Sequence, residues 1–162
     1  MDFILFISLV IVLRLAELLL ARRNENRVRK LGAVEYGRGH YPVMVSMHLL
    51  FLVACIAEYS VRPAAPLQPV FFTLFIISTV LKICVILSLG DYWNTRILRI
   101  PGMQLVNTGI YRYVKHPNYI LVVAEIALIP LCFKLYATAI VFSILNGCML
   151  YVRITEENKA LK

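Results

Sequence analysis

Val70-Phe71-Phe72-Thr73-Leu74-Phe75-Ile76-Ile77-Ser78-Thr79-Val80-Leu81-Lys82-Ile83-Cys84-Val85-Ile86-Leu87-Ser88-Leu89 runs from Pro69 to Gly90 with Lys82 as its one charge. As a helix rising about 1.5 Å per residue it would be about 30 Å long, which is the thickness of a bilayer's hydrocarbon core. Four further apolar runs follow the same pattern, at residues 4–20, 43–61, 119–133 and 135–152. Only Lys134 separates the last two. A single helix over both would overshoot the bilayer by about a third, so they read as a tight helical hairpin with Pro130 near its tip. The first run is not a cleaved signal peptide: no basic stretch precedes it, and Arg22 and Arg23 stand where a small-residue cleavage site would lie. With 60% hydrophobic residues and a mean hydropathy of +0.77, the chain lies far above the roughly 45–50% apolar content of a soluble domain. The reading is a single all-α integral-membrane domain over residues 1–162 with about five transmembrane helices. Three of them fall in 1–90, and a loop, a hairpin and a tail occupy 91–162.

The net charge of +8 does not mark a nucleic-acid binder. The positives come in bursts between apolar runs rather than in one stripe. Arg22, Arg23, Arg27, Arg29, Lys30 and Arg38 follow the first run, and Arg96, Arg99, Arg112 and Lys115 follow the third. Arg153, Lys159 and Lys162 follow the last, while the opposite loops hold only Arg62 and Lys134. Positive-inside reasoning makes the basic side cytoplasmic, with the N-terminus out and the C-terminus in. Cys55, Cys84, Cys132 and Cys148 fall within apolar runs without a CxxC or a His at metal spacing, so they read as small core residues and no metal is expected. Gly37 and Gly39 read as part of a loop with no preceding strand, and no phosphate-binding glycine motif is present.

Charged residues inside the runs need a reason, because charge in hydrocarbon is costly. Arg14 and Glu17, three apart, share a helix face and can pair. Lys82 and Glu125 are lone charges that can pair with each other or line a cavity. Glu58, near an outer end, can snorkel and is given no role.

Two polar clusters on the basic side carry most of the chemistry. The first is Leu105-Val106-Asn107-Thr108-Gly109-Ile110-Tyr111-Arg112-Tyr113-Val114-Lys115-His116-Pro117-Asn118-Tyr119, and the second is Arg153-Ile154-Thr155-Glu156-Glu157-Asn158-Lys159-Ala160-Leu161. Pro117 fits the first turn of a helix, where a missing N–H is harmless, and His116 is then near the N-cap at the positive end of the dipole. Arg153 and Glu157, four apart, project from one face and can clamp a zwitterion such as an amino-acid head. Taken singly, each cluster also reads as an interface belt with a solvated tail.

The pattern Gly-x-Tyr-x-x-x-Lys-His-Pro-x-Tyr over 109–119, followed after the hairpin by Arg153-x-x-x-Glu157, resembles the isoprenylcysteine carboxyl methyltransferase family of membrane enzymes. Glu35-Tyr36-Gly37-Arg38-Gly39-His40-Tyr41 is similar to its bacterial branch, some members of which methylate long-chain polyketide phenols or pyrones. The resemblance implies S-adenosylmethionine as cofactor, at a cytoplasmic-side site built by the C-terminal half, and a plasma-membrane location if the source is bacterial. Gln104, Leu105, Val106 and Tyr111 would line the cofactor, with His116, Pro117, Asn118 and Tyr119 closing round it. Glu157 would bind the cofactor's ammonium, Arg153 would face the acceptor's anionic group, and Glu156 would assist either. His116, Arg153 and Glu157 are the implied catalytic residues, and Lys115 departs from the family's usual Arg. The partners implied are an amphiphilic, lipid-like acceptor and membrane lipids. Two alternatives remain: methylation of phospholipid amines or a related sterol-reductase-like activity, and a non-enzymatic scaffold or transporter subunit.

Cysteines added in the 91–118 loop and in the C-terminal tail should both react with an impermeant thiol reagent only from the cytoplasmic side. Opposite accessibility of the two segments would rule out a shared site.

Overall fold

The computed structural model describes residues 2–62, 65–103 and 107–160. Five helices follow in order: α1 (Phe3–Lys30), α2 (His40–Val61), α3 (Pro69–Leu89), α4 (Pro117–Leu131) and α5 (Tyr136–Ala160). Four are long and apolar enough to cross a membrane, and α4 has only 15 residues, about 22 Å of helix. The fold is that of an all-α membrane protein. Its outward faces are consistently apolar: Ile4, Leu5, Leu19, Leu49, Val53, Leu87, Ile140 and Ile144 are all exposed. A water-facing surface could not carry so many; a lipid-facing one must.

One expectation is corrected. Val34–Tyr36 forms a strand, β1, immediately before Gly37, and it pairs antiparallel with β2 (Ile97–Arg99). This short ribbon ties the loop after α1 to the loop after α3. Glu35 is its clasp, accepting from Arg29 and, at 2.5 Å, from Arg96.

At the opposite end the hairpin forms as the sequence suggests. Pro130 lies in the last turn of α4. The N–H of Leu135 donates to the Pro130 carbonyl and that of Lys134 to the Leu131 carbonyl, with Lys134 at φ 58°. That pair of bonds is the Schellman closure, with lysine in the left-handed position usually taken by glycine. Glu58, given no role from sequence, caps α5. Its carboxylate accepts from the N–H of Thr138 at 2.7 Å and of Ala137 at 3.2 Å, two of the donors a helix N-terminus leaves free. Phe3 stacks on Tyr59, with ring centroids 3.9 Å apart, and meets Phe133 edge-on, which closes the core at this end.

The four intramembrane charges meet. Arg14 donates to Glu17 at 2.9 Å and to Glu125 at 2.6 Å; Lys82 reaches Glu125 at 2.6 Å and Glu17 at 3.0 Å. Two cations and two carboxylates thus form a neutral quartet joining α1, α3 and α4. Replacing Glu125 by Ala leaves one cation in excess. Breaking a buried pair in this way typically costs about 3–5 kcal/mol, which denaturant titration of the solubilised protein should register. The double variant Lys82→Met/Glu125→Leu restores neutrality and should recover most of the loss; a mild single variant would show that the quartet is not a structural bond.

Candidate active site

α4 and α5 leave their shared turn together, but α5 is longer and projects past the start of α4 on the basic side. Side chains on a helix tilt towards its N-terminus, so Tyr119 at the start of α4 leans outward while Glu157 on α5 leans back to meet it. The Tyr119 hydroxyl donates to Glu157 Oε2 at 2.6 Å, and His116 Nδ1 lies 3.6 Å from the same oxygen. The His116 and Tyr119 rings stack with centroids 5.3 Å apart. His116 is the N-cap residue of α4 and Pro117 occupies its first turn.

Arg153 does not pair with Glu157. It turns into the bundle, 6% exposed, and donates to the Thr95 carbonyl at 3.0 Å beside the Met44 sulfur. Its guanidinium lies 5.5 Å from the centre of the Tyr119 ring. Asn24, on α1, fixes the segment that Arg153 reaches: its Nδ2 donates to the carbonyls of Trp93 at 2.8 Å and Gly90 at 3.2 Å.

Two cavities meet here. The larger, about 610 Å³, lies among the basic-side loops. Trp93, Asn94, Tyr111, His116 and Glu157 line it, as do Arg99 and Lys115. Arg99 and Lys115 have no ion-pair partner among the described residues. The smaller, about 160 Å³, lies inside the bundle between α1, α2, α4 and α5 and is mainly apolar. Leu18 on α1 and Leu49 on α2 line it and are 43% and 59% exposed, so the cavity is open beside them, between α1 and α2. Trp93, Asn118, Tyr119 and Arg153 line both cavities. At this junction Trp93 Nε1, Asn118 Oδ1 and Arg153 Nε are buried without a partner among the described residues. Burial, and then the Glu157 carboxylate nearby, push the Tyr111 phenol up, so it is a hydrogen-bond donor at neutral pH.

The structure therefore brings together Tyr111, His116, Asn118, Tyr119, Arg153 and Glu157. Glu156 pairs instead with Lys159 at 2.6 Å, and Pro117 shapes the helix start without lining either cavity. Gln104, Leu105 and Val106 lie outside the described residues. Sequence reasoning gave no site role to Trp93, Asn94 and Arg99, which precede the first motif cluster, and counted Arg99 only among the basic-side charges. It also missed Met44 and His48, because α2 is apolar nearly all round and shows no inward face. No cluster of metal-ligating side chains is found among the described residues.

The family model of the isoprenylcysteine carboxyl methyltransferase (ICMT) family matches residues 71–162. The chain belongs to the ICMT family. The match begins in α3 and takes in both motif clusters, so the site lies mostly within the ICMT region, whereas Arg14, Glu17 and His48 lie before it. An uncharacterized protein of Bacillus subtilis, YpbQ, is 45% identical over 165 residues, covering 99% of this chain and 96% of its own. An uncharacterized protein of Haemophilus influenzae is 26% identical, covering 94% of this chain and 90% of its own. No solved structure matches. Membership makes this chain one of a family of membrane methyltransferases.

The ribbon beside the site has a pH signature. Burial would raise the Glu35 carboxyl, but hydrogen bonds and charge from Arg29 and Arg96 outweigh it and hold the group below the usual carboxylate value. A depressed carboxyl contributes its full stability above the unfolded value, about 4.3, and loses it as pH falls through the lower folded value. Protection of the Val34–Tyr36 amides, taken relative to their intrinsic exchange at each pH, should hold down to about pH 4 and fall below it. In Glu35→Gln, protection should be lower at neutral pH and vary little with acidification; protection that still falls with acid in Glu35→Gln would place the titrating group elsewhere.

Proposed function

We propose that this protein is an S-adenosylmethionine-dependent O-methyltransferase acting on a lipid-like acceptor, either an isoprenylcysteine-type carboxylate or a long-chain phenol or pyrone. The observation that carries the reading is the junction of the two cavities at Trp93, Asn118, Tyr119 and Arg153. A polar ligand can enter from the loops and an amphiphile from lipid, and the two meet at one point. The cytoplasmic orientation of the loops follows from the positive-inside distribution and belongs to the same proposal.

The residues present fit the cofactor. Glu157 supplies a carboxylate for an ammonium, and Arg99 and Lys115 are available for a carboxylate. Trp93 Nε1 and Asn118 Oδ1, buried without a partner among the described residues, can bond to the cofactor, since such groups are rarely left unpaired. When bound, the cofactor supplies an electrophilic methyl group on a sulfonium. Tyr119 fixes the orientation of Glu157 through their hydrogen bond. Arg153, steered by the Thr95 carbonyl, has a free N–H for the acceptor's anionic oxygen. Transfer neutralises a cation and an anion together, so a cavity of low polarity favours it once the reactants are held in line. A carboxylate acceptor is ionised near neutrality and needs no base; the Arg153 guanidinium lowers the pKa of a phenol in the same position.

Calorimetry with S-adenosylmethionine and S-adenosylhomocysteine is the direct test. Glu157→Gln keeps the shape but removes a charge-assisted hydrogen bond of about 1.5–3 kcal/mol, so affinity for both should fall roughly 10–150-fold. Affinity within a few-fold of wild type would reduce Glu157 to an interfacial residue.

Arg153→Ala should act on the other ligand. It should leave cofactor affinity nearly unchanged while lowering acceptor kcat/KM by a similar roughly 10–150-fold. Equal losses for both ligands would sink the division of labour between Arg153 and Glu157.

A further inference from the structure

The apolar cavity is not apolar throughout. Arg153 lies beside Met44 while Phe142 packs on Phe51 at 5.4 Å between centroids, so α2 and α5 run antiparallel along it. His48 and Asn146 fall between these two contacts, and both line the cavity. Asn146 precedes Arg153 by seven residues, two helical turns, which sets it about 10 Å deeper in the bundle. It is 2% exposed, and its Nδ2 has no partner among the described residues. His48 Nδ1 lies 2.8 Å from the Met44 carbonyl oxygen. A carbonyl only accepts, so the proton sits on Nδ1 and Nε2 keeps a free lone pair.

A pocket for a plain hydrocarbon chain gains nothing from an unpaired amide and an imidazole acceptor at mid-bilayer depth, where polar groups are expensive. Arg14 and Lys82 also line the cavity, but the quartet's carboxylates occupy them. Among the described residues Asn146 Nδ2 has no such partner, and His48 bonds only through Nδ1. We propose that Asn146 and His48 form a second binding subsite, which takes an in-chain oxygen of the acceptor about 10 Å from the oxygen that is methylated. A ketone accepts from Asn146; a hydroxyl can also donate to His48 Nε2. This rests on the methyltransferase reading and deepens it, because the acceptor is then a chain with two polar points rather than a head on a bare tail.

Trp93 is the one tryptophan of the chain and borders both cavities, so its fluorescence reports occupancy of either. Full-length protein in lipid nanodiscs is titrated with tetradecanoate and with a series of tetradecanoates bearing one ketone at successive positions. Affinity should peak where the ketone sits about 10 Å from the carboxylate, at least tenfold above the saturated chain. Asn146→Leu should abolish the peak and leave the saturated probe bound as in wild type. His48→Phe should remove any extra affinity of the corresponding hydroxyl series. A flat profile in wild type, or a peak that survives Asn146→Leu, overturns the subsite. The profile is read without cofactor, so it decides the subsite independently. Failure of wild-type protein to bind S-adenosylhomocysteine counts against the methyltransferase reading alone.

Discussion

Lys82 and Glu125 face each other at 2.6 Å within the apolar bundle, and Arg14 and Glu17 complete their neutrality. Apolar packing alone specifies little in lipid, because an acyl chain solvates a leucine as well as another leucine does. A helix that must bring one charge to its partner has only one acceptable rotation. The quartet therefore sets how α1, α3 and α4 face one another. Through them it sets where Leu18 meets the lipid, where Asn24 grips the turn before Trp93, and where α4 presents Asn118 and Tyr119.

The two ends of the bundle are built on opposite principles. At the hairpin end, backbone groups are closed off by the Lys134 turn and the Glu58 cap, and aromatic rings fill the space between helices. At the basic end α4 stops short, and the room beyond its N-terminus becomes the larger cavity. Longer neighbours, the ribbon clasped by Glu35 and the returning α5 wall this space without filling it. One end is organised for rigidity, and the other leaves polar atoms such as Trp93 Nε1 and Asn118 Oδ1 without partners among the described residues.

Much of this was legible beforehand. Length and apolarity suffice to mark helices, and the pairing of Pro117 with a preceding His marks the start of α4. Arg14 and Glu17 were readable as a pair because they are one turn apart on the same helix. Their partners Lys82 and Glu125 lie on other helices, and only the packing reveals that a single cluster results. β1 was missed because three residues are too few to show a period of two. The inward turn of Arg153 was equally hidden: its spacing to Glu157 suggests two side chains projecting from one face to clamp a zwitterion, whereas the Thr95 carbonyl and the Tyr119 ring hold it inside.

The opening between Leu18 and Leu49 has a practical consequence for handling this protein. A detergent monomer is an alkyl chain with a polar head, and nothing in that apolar gap distinguishes it from a natural amphiphile. Micelles hold such monomers at far higher concentration than any added lipid ligand, so solubilised protein carries a standing competitor in its inner cavity. Affinities for amphiphiles measured in detergent will then scale with detergent concentration and chain length. A bilayer of defined lipids, free of detergent monomers, is the medium in which the cavity shows its own selectivity.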